Sequence, residues 1–272
     1  MSPKPYLARK SGRARQVLAR HTVDEESLIG ALAHFFVVLS HPRAGSNFIC
    51  SLINQHPAAV SFREVFHPAA VHVGHDNRDC APNLPGPMRR DLSPAHFLHC
   101  LGAAAQPAQC GFKLFPDHHP SVVRATLNPI CRVRRIVLLR RDLLAVYVSE
   151  LNARRSGRYS FPADAGKTPD RPDPIRIDPD DFRGFVARMR AIHDTYDRAA
   201  NPERDLFIDY ADLRENPDTT ARRIYAALDL HDFAPECGRQ HVQIGARHAD
   251  LVANTAELHQ ALAGTAAANY LP

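Results

Sequence analysis

Phe35 to Leu39 (FFVVL) forms an unbroken apolar, β-prone run that ends directly in Ser40, His41, Pro42, Arg43, Ala44, Gly45, Ser46 and Asn47, before a helical pattern that reaches Gln55. A strand apolar at every position must be covered on both faces, which calls for a parallel sheet flanked by helices. A second unit of the same kind follows: Arg135 to Arg140 (RIVLLR) reads as another fully apolar strand, and Asp142 to Ala153 as the helix after it. Shorter strands are expected at Val60 to Arg63, Gly111 to Phe115 and Leu206 to Tyr210. Helices are expected at Pro94 to Ala105, Pro120 to Asn128, Pro179 to Ala199 and Asp218 to Leu228. Strands alternating with helices give the doubly wound α/β architecture, whose ligands bind beyond the carboxyl ends of the strands. Residues 72–91 and 154–178, rich in proline, read as long loops of the kind that shape binding sites.

Composition sets the outer bounds. A chain of 272 residues with 44% hydrophobic content buries a sizeable core, and the reading assigns residues 1–27 to a basic tail and 28–272 to one α/β domain. The excess of 34 Lys and Arg over 29 Asp and Glu favours an anionic partner. The longest apolar stretch, Leu28 to Leu39, is interrupted by Gly30 and His34, falls short of the roughly 18 residues of a membrane span, and reads as a buried strand. The first 21 residues lack the apolar core of a secretory signal. Six cysteines with neither a CxxC pair nor zinc-ligand spacing read as reduced thiols, so the expected compartment is the cytoplasm and no metal is expected.

The turn after the first strand carries the first chemical signal. Small residues entering a helix present unpaired backbone N–H groups and the positive end of the helix dipole, which together attract an anion such as phosphate. Arg43 adds a planar permanent charge, Gly45 permits close backbone approach, and Ser46 and Asn47 offer further donors. The GxxxxGK[ST] pattern is absent, which favours a metal-free nucleotide user over a nucleoside-triphosphate hydrolase. In the second unit Arg141 ends the strand and Ser149 lies eight residues on, in the following helix; the pair could hold a second phosphate, while surface ion pairing of Arg140, Arg141 and Asp142 is the plainer alternative.

VVLSHPRAGSNFICSLINQHP resembles the 5'-phosphosulfate loop of sulfotransferases that use 3'-phosphoadenosine-5'-phosphosulfate (PAPS), particularly bacterial carbohydrate enzymes of the nodulation-factor and lipopolysaccharide type. RRIVLLRRDLLAVYVSEL is similar to their 3'-phosphate segment, with the same Arg-to-Ser spacing, and GFKLFPDHH and FIDYADLRENP follow in the family's order. The resemblance implies the P-loop-like sulfotransferase fold. It implies a 5'-phosphosulfate cradle of Pro42, Arg43, Ala44, Gly45, Ser46 and Asn47, a 3'-phosphate clamp of Arg141 and Ser149, and Tyr210 near adenine. The product is adenosine 3',5'-bisphosphate (PAP), and the partner a hydroxylated acceptor, by subfamily a glycan or glycolipid. Nucleic acid is not an expected partner, and only peripheral membrane contact is open. Ala44, where many relatives have Ser, and Arg43, where animal cytosolic enzymes have Lys, depart from the pattern without removing its charge. Glu64, in SFREVFHP, stands where carbohydrate-type members have their general base; His67, His118 and His119 compete with it, and Lys113 would stabilise charge in the cleft. A magnesium-dependent nucleotide kinase and a non-catalytic anion or nucleic-acid binder are the rival classes, since the architecture serves all three.

Overall fold

The computed structural model describes residues 23–75, 77–105, 109–157, 173–231, 233–234 and 248–272. Five parallel strands, β1 (Phe36–Leu39), β2 (Ala59–Phe62), β3 (Gln109–Leu114), β4 (Arg134–Leu139) and β5 (Asp205–Asp209), form one sheet in the order β2-β3-β1-β4-β5. All five coincide with the expected strands to within two residues. Around them run α1 (Glu25–Leu32), α2 (Ser46–Ile53), α3 (Pro87–Leu92), α4 (Pro94–Ala105), α5 (Pro120–Leu127), α6 (Leu143–Ser156), α7 (Pro179–Arg198), α8 (Tyr210–Glu215), α9 (Pro217–Ala227) and α10 (Thr255–Leu262).

The alternation of β1 and β4 explains why their sequences are apolar throughout. Val37 and Leu39, with Val137 and Leu139, point into a cluster beneath α1, α4 and α5 that holds Leu28, Phe97, Leu101 and Val122. Phe36 and Val38, with Ile136 and Leu138, point the other way, onto Ile49, Leu52 and Ile53 of α2 and Ile224 of α9. Gly111 makes room for this second face, because a Cβ there would stand 2.3 Å from the Phe36 ring. A third cluster joins α6, α7 and α10 through Leu143, Phe182, Val186 and Leu258.

Three expectations are corrected. The stretch from Leu28 to Leu39 is not one strand: its first part lies in α1, capped by the Asp24 carboxylate on the Ser27 amide, and only Phe36–Leu39 is extended. Residues 72–91 are not simply a loop, since they contain a 3-10 turn at Arg78–Asn83 and most of α3, which Pro87 opens at its first position. The segment expected as loop from residue 154 begins inside α6, which Gly157 ends in the left-handed region at φ 69°. Residues 158–172 lie outside the described residues, as does the basic segment 1–22.

The strand order places the site. From β1 the chain turns to one side of the sheet, towards β3 and β2, and from β4 it turns to the other, towards β5. The carboxyl ends of β1 and β4 are neighbours, and the crevice of a doubly wound sheet opens where the winding reverses.

Candidate active site

The loop after β1 is held on every side. Ser40 donates to the Leu138 carbonyl at 3.0 Å, and its own carbonyl accepts from the buried Tyr196 hydroxyl at 3.1 Å. The His41 ring donates through Nδ1 to the Pro42 carbonyl at 2.9 Å and accepts the Arg140 amide at Nε2 at 3.3 Å, which joins the β1 and β4 loops. Burial, against the His193 ring, pushes the His41 pKa down to about 4, so it keeps the neutral form that this bonding requires.

Arg43 adopts φ 65° and Gly45 φ 90°, two left-handed residues flanking the buried Ala44. That conformation is costly for an arginine and turns the loop sharply into α2. At Gly45 a Cβ would lie 2.9 Å from the Tyr210 ring, so the glycine serves both backbone angle and clearance. Arg43 Nε donates to Ser149 Oγ at 3.0 Å, a side-chain contact between segments 106 residues apart.

The other expected residues gather along the same edge. Arg141, largely exposed, pairs through Nε with Asp209 at 3.3 Å, at the end of β5. Tyr210 opens α8 next to it, with its ring against the cradle turn. On the opposite flank Lys113 is buried, and its Nζ donates to Asn47 Oδ1 at 2.7 Å and pairs with Glu64 Oε1 at 2.8 Å. Its ammonium also lies 4.9 Å from the Phe115 ring centroid. Burial opposes ionisation of Glu64, but His118 and Lys113 outweigh it and hold the carboxyl well below the usual carboxylate range.

The histidines separate by their hydrogen bonds. His118 Nδ1 accepts the Phe115 amide at 3.2 Å, so the neutral ring carries its proton on Nε2, which faces Glu64 Oε2 at 3.7 Å. His67 Nδ1 likewise accepts the Ala69 amide at 3.2 Å. His119 donates from Nε2 to the Asp91 carbonyl at 3.1 Å and packs against Phe66, tied to the α3–α4 junction rather than to the Glu64 cluster.

Sequence reasoning missed Arg63, whose guanidinium donates to the Asn47 carbonyl at 3.0 Å and to Ser51 Oγ at 3.1 Å, bracing α2 beside Glu64. It also missed Arg140, expected on the surface and found buried. Strand alternation would have shown it, since Arg140 follows Ile136 and Leu138 on one face. Of the surface ion pairs in the plainer alternative, Arg141 makes one, with Asp209, while Asp142 makes none among the described residues; its carboxylate caps α6 at the Ala145 amide, 2.9 Å away.

A family model, that of the sulfotransferase family, matches residues 36–235 and so takes in both loops, Glu64, Lys113 and Tyr210. The chain belongs to the sulfotransferase family. Its reaction class is therefore sulfuryl transfer. No curated protein matches it in sequence. Among solved structures the sulfotransferase STF9 from Mycobacterium avium superposes with a TM-score of 0.50 at 17% identity, covering 92% of this chain and 79% of that one, which supports the shared fold. A sulfotransferase from Alicyclobacillus acidocaldarius is similar at a TM-score of 0.45 and 12% identity, over 84% of this chain and 92% of that one. A mouse sulfotransferase complexed with PAP is similar at 0.40 and 14%, over 76% and 64%. Among the described residues of this sulfotransferase, no helix is long and apolar enough to cross a membrane, and no cluster of His, Cys, Asp and Glu could hold a metal ion.

Proposed function

We propose that this sulfotransferase moves the sulfuryl group of PAPS to a hydroxyl of a glycan or glycolipid acceptor by in-line displacement, with Glu64 as general base. The observation that supports this reading is the 3.0 Å bond from Arg43 to Ser149, which joins the two segments proposed to bind anions at the switch point of the sheet. A donor with anionic groups at both ends of its nucleoside suits such a surface.

On the donor side, Arg43 and the amides at the start of α2 face the oxygen on which charge accumulates as the sulfur–oxygen bond breaks. Donors fixed in advance by the left-handed turn need no reorganisation during the reaction. Arg141 and Ser149 hold the 3'-phosphate, and Tyr210 supports the turn from below.

On the acceptor side, Glu64 is ionised and ready to take a proton. Lys113 holds one carboxylate oxygen and His118 faces the other, which fixes the carboxylate's orientation. The same contacts make Glu64 a weak base, so it takes the proton late, as the new oxygen–sulfur bond forms and the hydroxyl acidifies. His118 faces Glu64 with Nε2 at 3.7 Å, beyond hydrogen-bond distance, and has Nδ1 committed to a backbone amide, while His119 is committed to the Asp91 carbonyl. Glu64 is thus favoured over either histidine as base.

Transfer of labelled sulfate from PAPS to glycolipid, free glycan and phenolic acceptors, run with and without EDTA, tests the reading. EDTA-insensitive sulfation of a carbohydrate acceptor is expected, and Glu64→Ala should lower kcat by roughly 100-fold or more, as loss of a general base does. ATP-dependent phosphoryl transfer, or near-wild-type turnover by Glu64→Ala, would contradict it.

A further inference from the structure

Among the described residues three arginines, Arg90, Arg135 and Arg140, are buried. A buried guanidinium is costly unless its charge is matched and its N–H groups are used. Arg90 meets that condition with Asp91 at 2.7 Å and with the carbonyls of Val65, His67 and Ala70. Arg135 meets it with a two-pronged bond to Asp205, at 2.6 and 2.5 Å, and with the carbonyls of Thr126 and Ala199.

Arg140 does not. Among the described residues no carboxylate lies within ion-pair distance of it, and its Nε has no partner. The Asp142 carboxylate next to it caps α6. Its guanidinium lies 4.3 Å over the Tyr210 ring, and one amino group donates to the Arg43 carbonyl at 3.2 Å. Burial lowers its pKa most; Tyr210 and, from beyond ion-pair distance, Asp142 act against that, and the like charges of Arg43 and Arg214 lower it further. Among the described residues, a cation with no ion-pair partner thus lies directly beneath the loop from Pro42 to Asn47.

We propose that Arg140 is a further binding residue of the anion site: its guanidinium supplies the buried positive charge matched by the anionic group seated on the Arg43 turn, and its bond to the Arg43 carbonyl holds that turn in its left-handed form. The inference rests on the donor reading above for the identity of that group, a nucleotide 5'-phosphate or phosphosulfate. The counter-ion at ion-pair distance that the described residues do not supply arrives with the ligand. Tyr210 completes the arrangement, because its ring stacks on the guanidinium at 4.3 Å and also limits position 45 to glycine.

Calorimetric titration of the full chain with PAP, together with thermal unfolding without ligand, tests this in Arg140→Gln and Arg140→Lys. Arg140→Gln keeps a donor and loses the charge, so PAP affinity should fall roughly 10- to 100-fold, the range for a charge-assisted contact. Its unliganded Tm should stay within about 3 °C of wild type, a small shift for a chain of this size. Arg140→Lys should bind PAP several-fold more tightly than Arg140→Gln. Arg135→Met, the control, should lower Tm sharply because it strands the buried Asp205. Wild-type affinity in Arg140→Gln overturns the proposal, as do equal losses in the two variants or an Arg140→Gln protein that melts far lower or fails to fold. If wild type binds no PAP, the donor reading falls. Thermal shift with inorganic sulfate then reads Arg140 directly: stabilisation of wild type but not of Arg140→Gln supports the proposal, and equal stabilisation overturns it.

Discussion

Replacing Lys113 with Met removes the cation that keeps Glu64 charged, and the consequence has a definite pH signature. The Lys113 side chain is 3% exposed and that of Glu64 26%. Breaking a fully buried pair costs about 3–5 kcal/mol, and partial solvation of Glu64 brings the expected loss at pH 7 to about 2–3 kcal/mol. The folded-state pKa of Glu64 lies below its ordinary 4.5, so its ionisation contributes stability above that value and loses it as pH falls towards the folded pKa. In Lys113→Met burial is opposed by His118 alone, so the pKa rises and the stabilisation that ionised Glu64 brings above pH 4.5 shrinks. The stability gap between wild type and variant should therefore be widest near pH 7 and narrow by about half or more by pH 3. Urea unfolding of both proteins across that range measures it. A gap independent of pH, or one that widens in acid, would refute the electrostatic account and leave Lys113 as a packing residue.

The cradle yields two further expectations. Gly45→Ala places a methyl against the Tyr210 ring in a left-handed conformation, so it should cost about 1–3 kcal/mol of stability, read by urea unfolding, and weaken PAP binding in calorimetry. Ser149→Ala removes the hydroxyl that joins the segments and should weaken PAP about tenfold, as loss of one charge-assisted bond does, while leaving the affinity for 5'-AMP within about threefold.

Strands and helices were legible in the sequence because their burial is periodic. FFVVL and RIVLLR have no polar position to offer solvent, and a two-faced strand is the only short element that needs none. The two loops expected to bind anions stood out because small residues and arginine follow strand ends there, and the family resemblance set their order. What escaped depended on pairings between distant segments. Leu28 to Leu32 looks like strand in composition, but Asp24 caps it as helix and its apolar face packs on α4 and α5. Arg140 and Arg141 are indistinguishable as letters, yet alternation buries one under the cradle and leaves the other at the mouth with Asp209. His118 and His119 are likewise adjacent, and only the fold shows that one faces Glu64 and the other Asp91.

The direct test of two joined anion sites is a calorimetric comparison of PAP with 5'-AMP and 3'-AMP on wild type. PAP should bind at least about 100-fold more tightly than either monophosphate, the gain expected when a second site is engaged intramolecularly. Equal affinity for PAP and 5'-AMP would mean that the Arg141–Ser149 segment holds no phosphate, and the account would fail there.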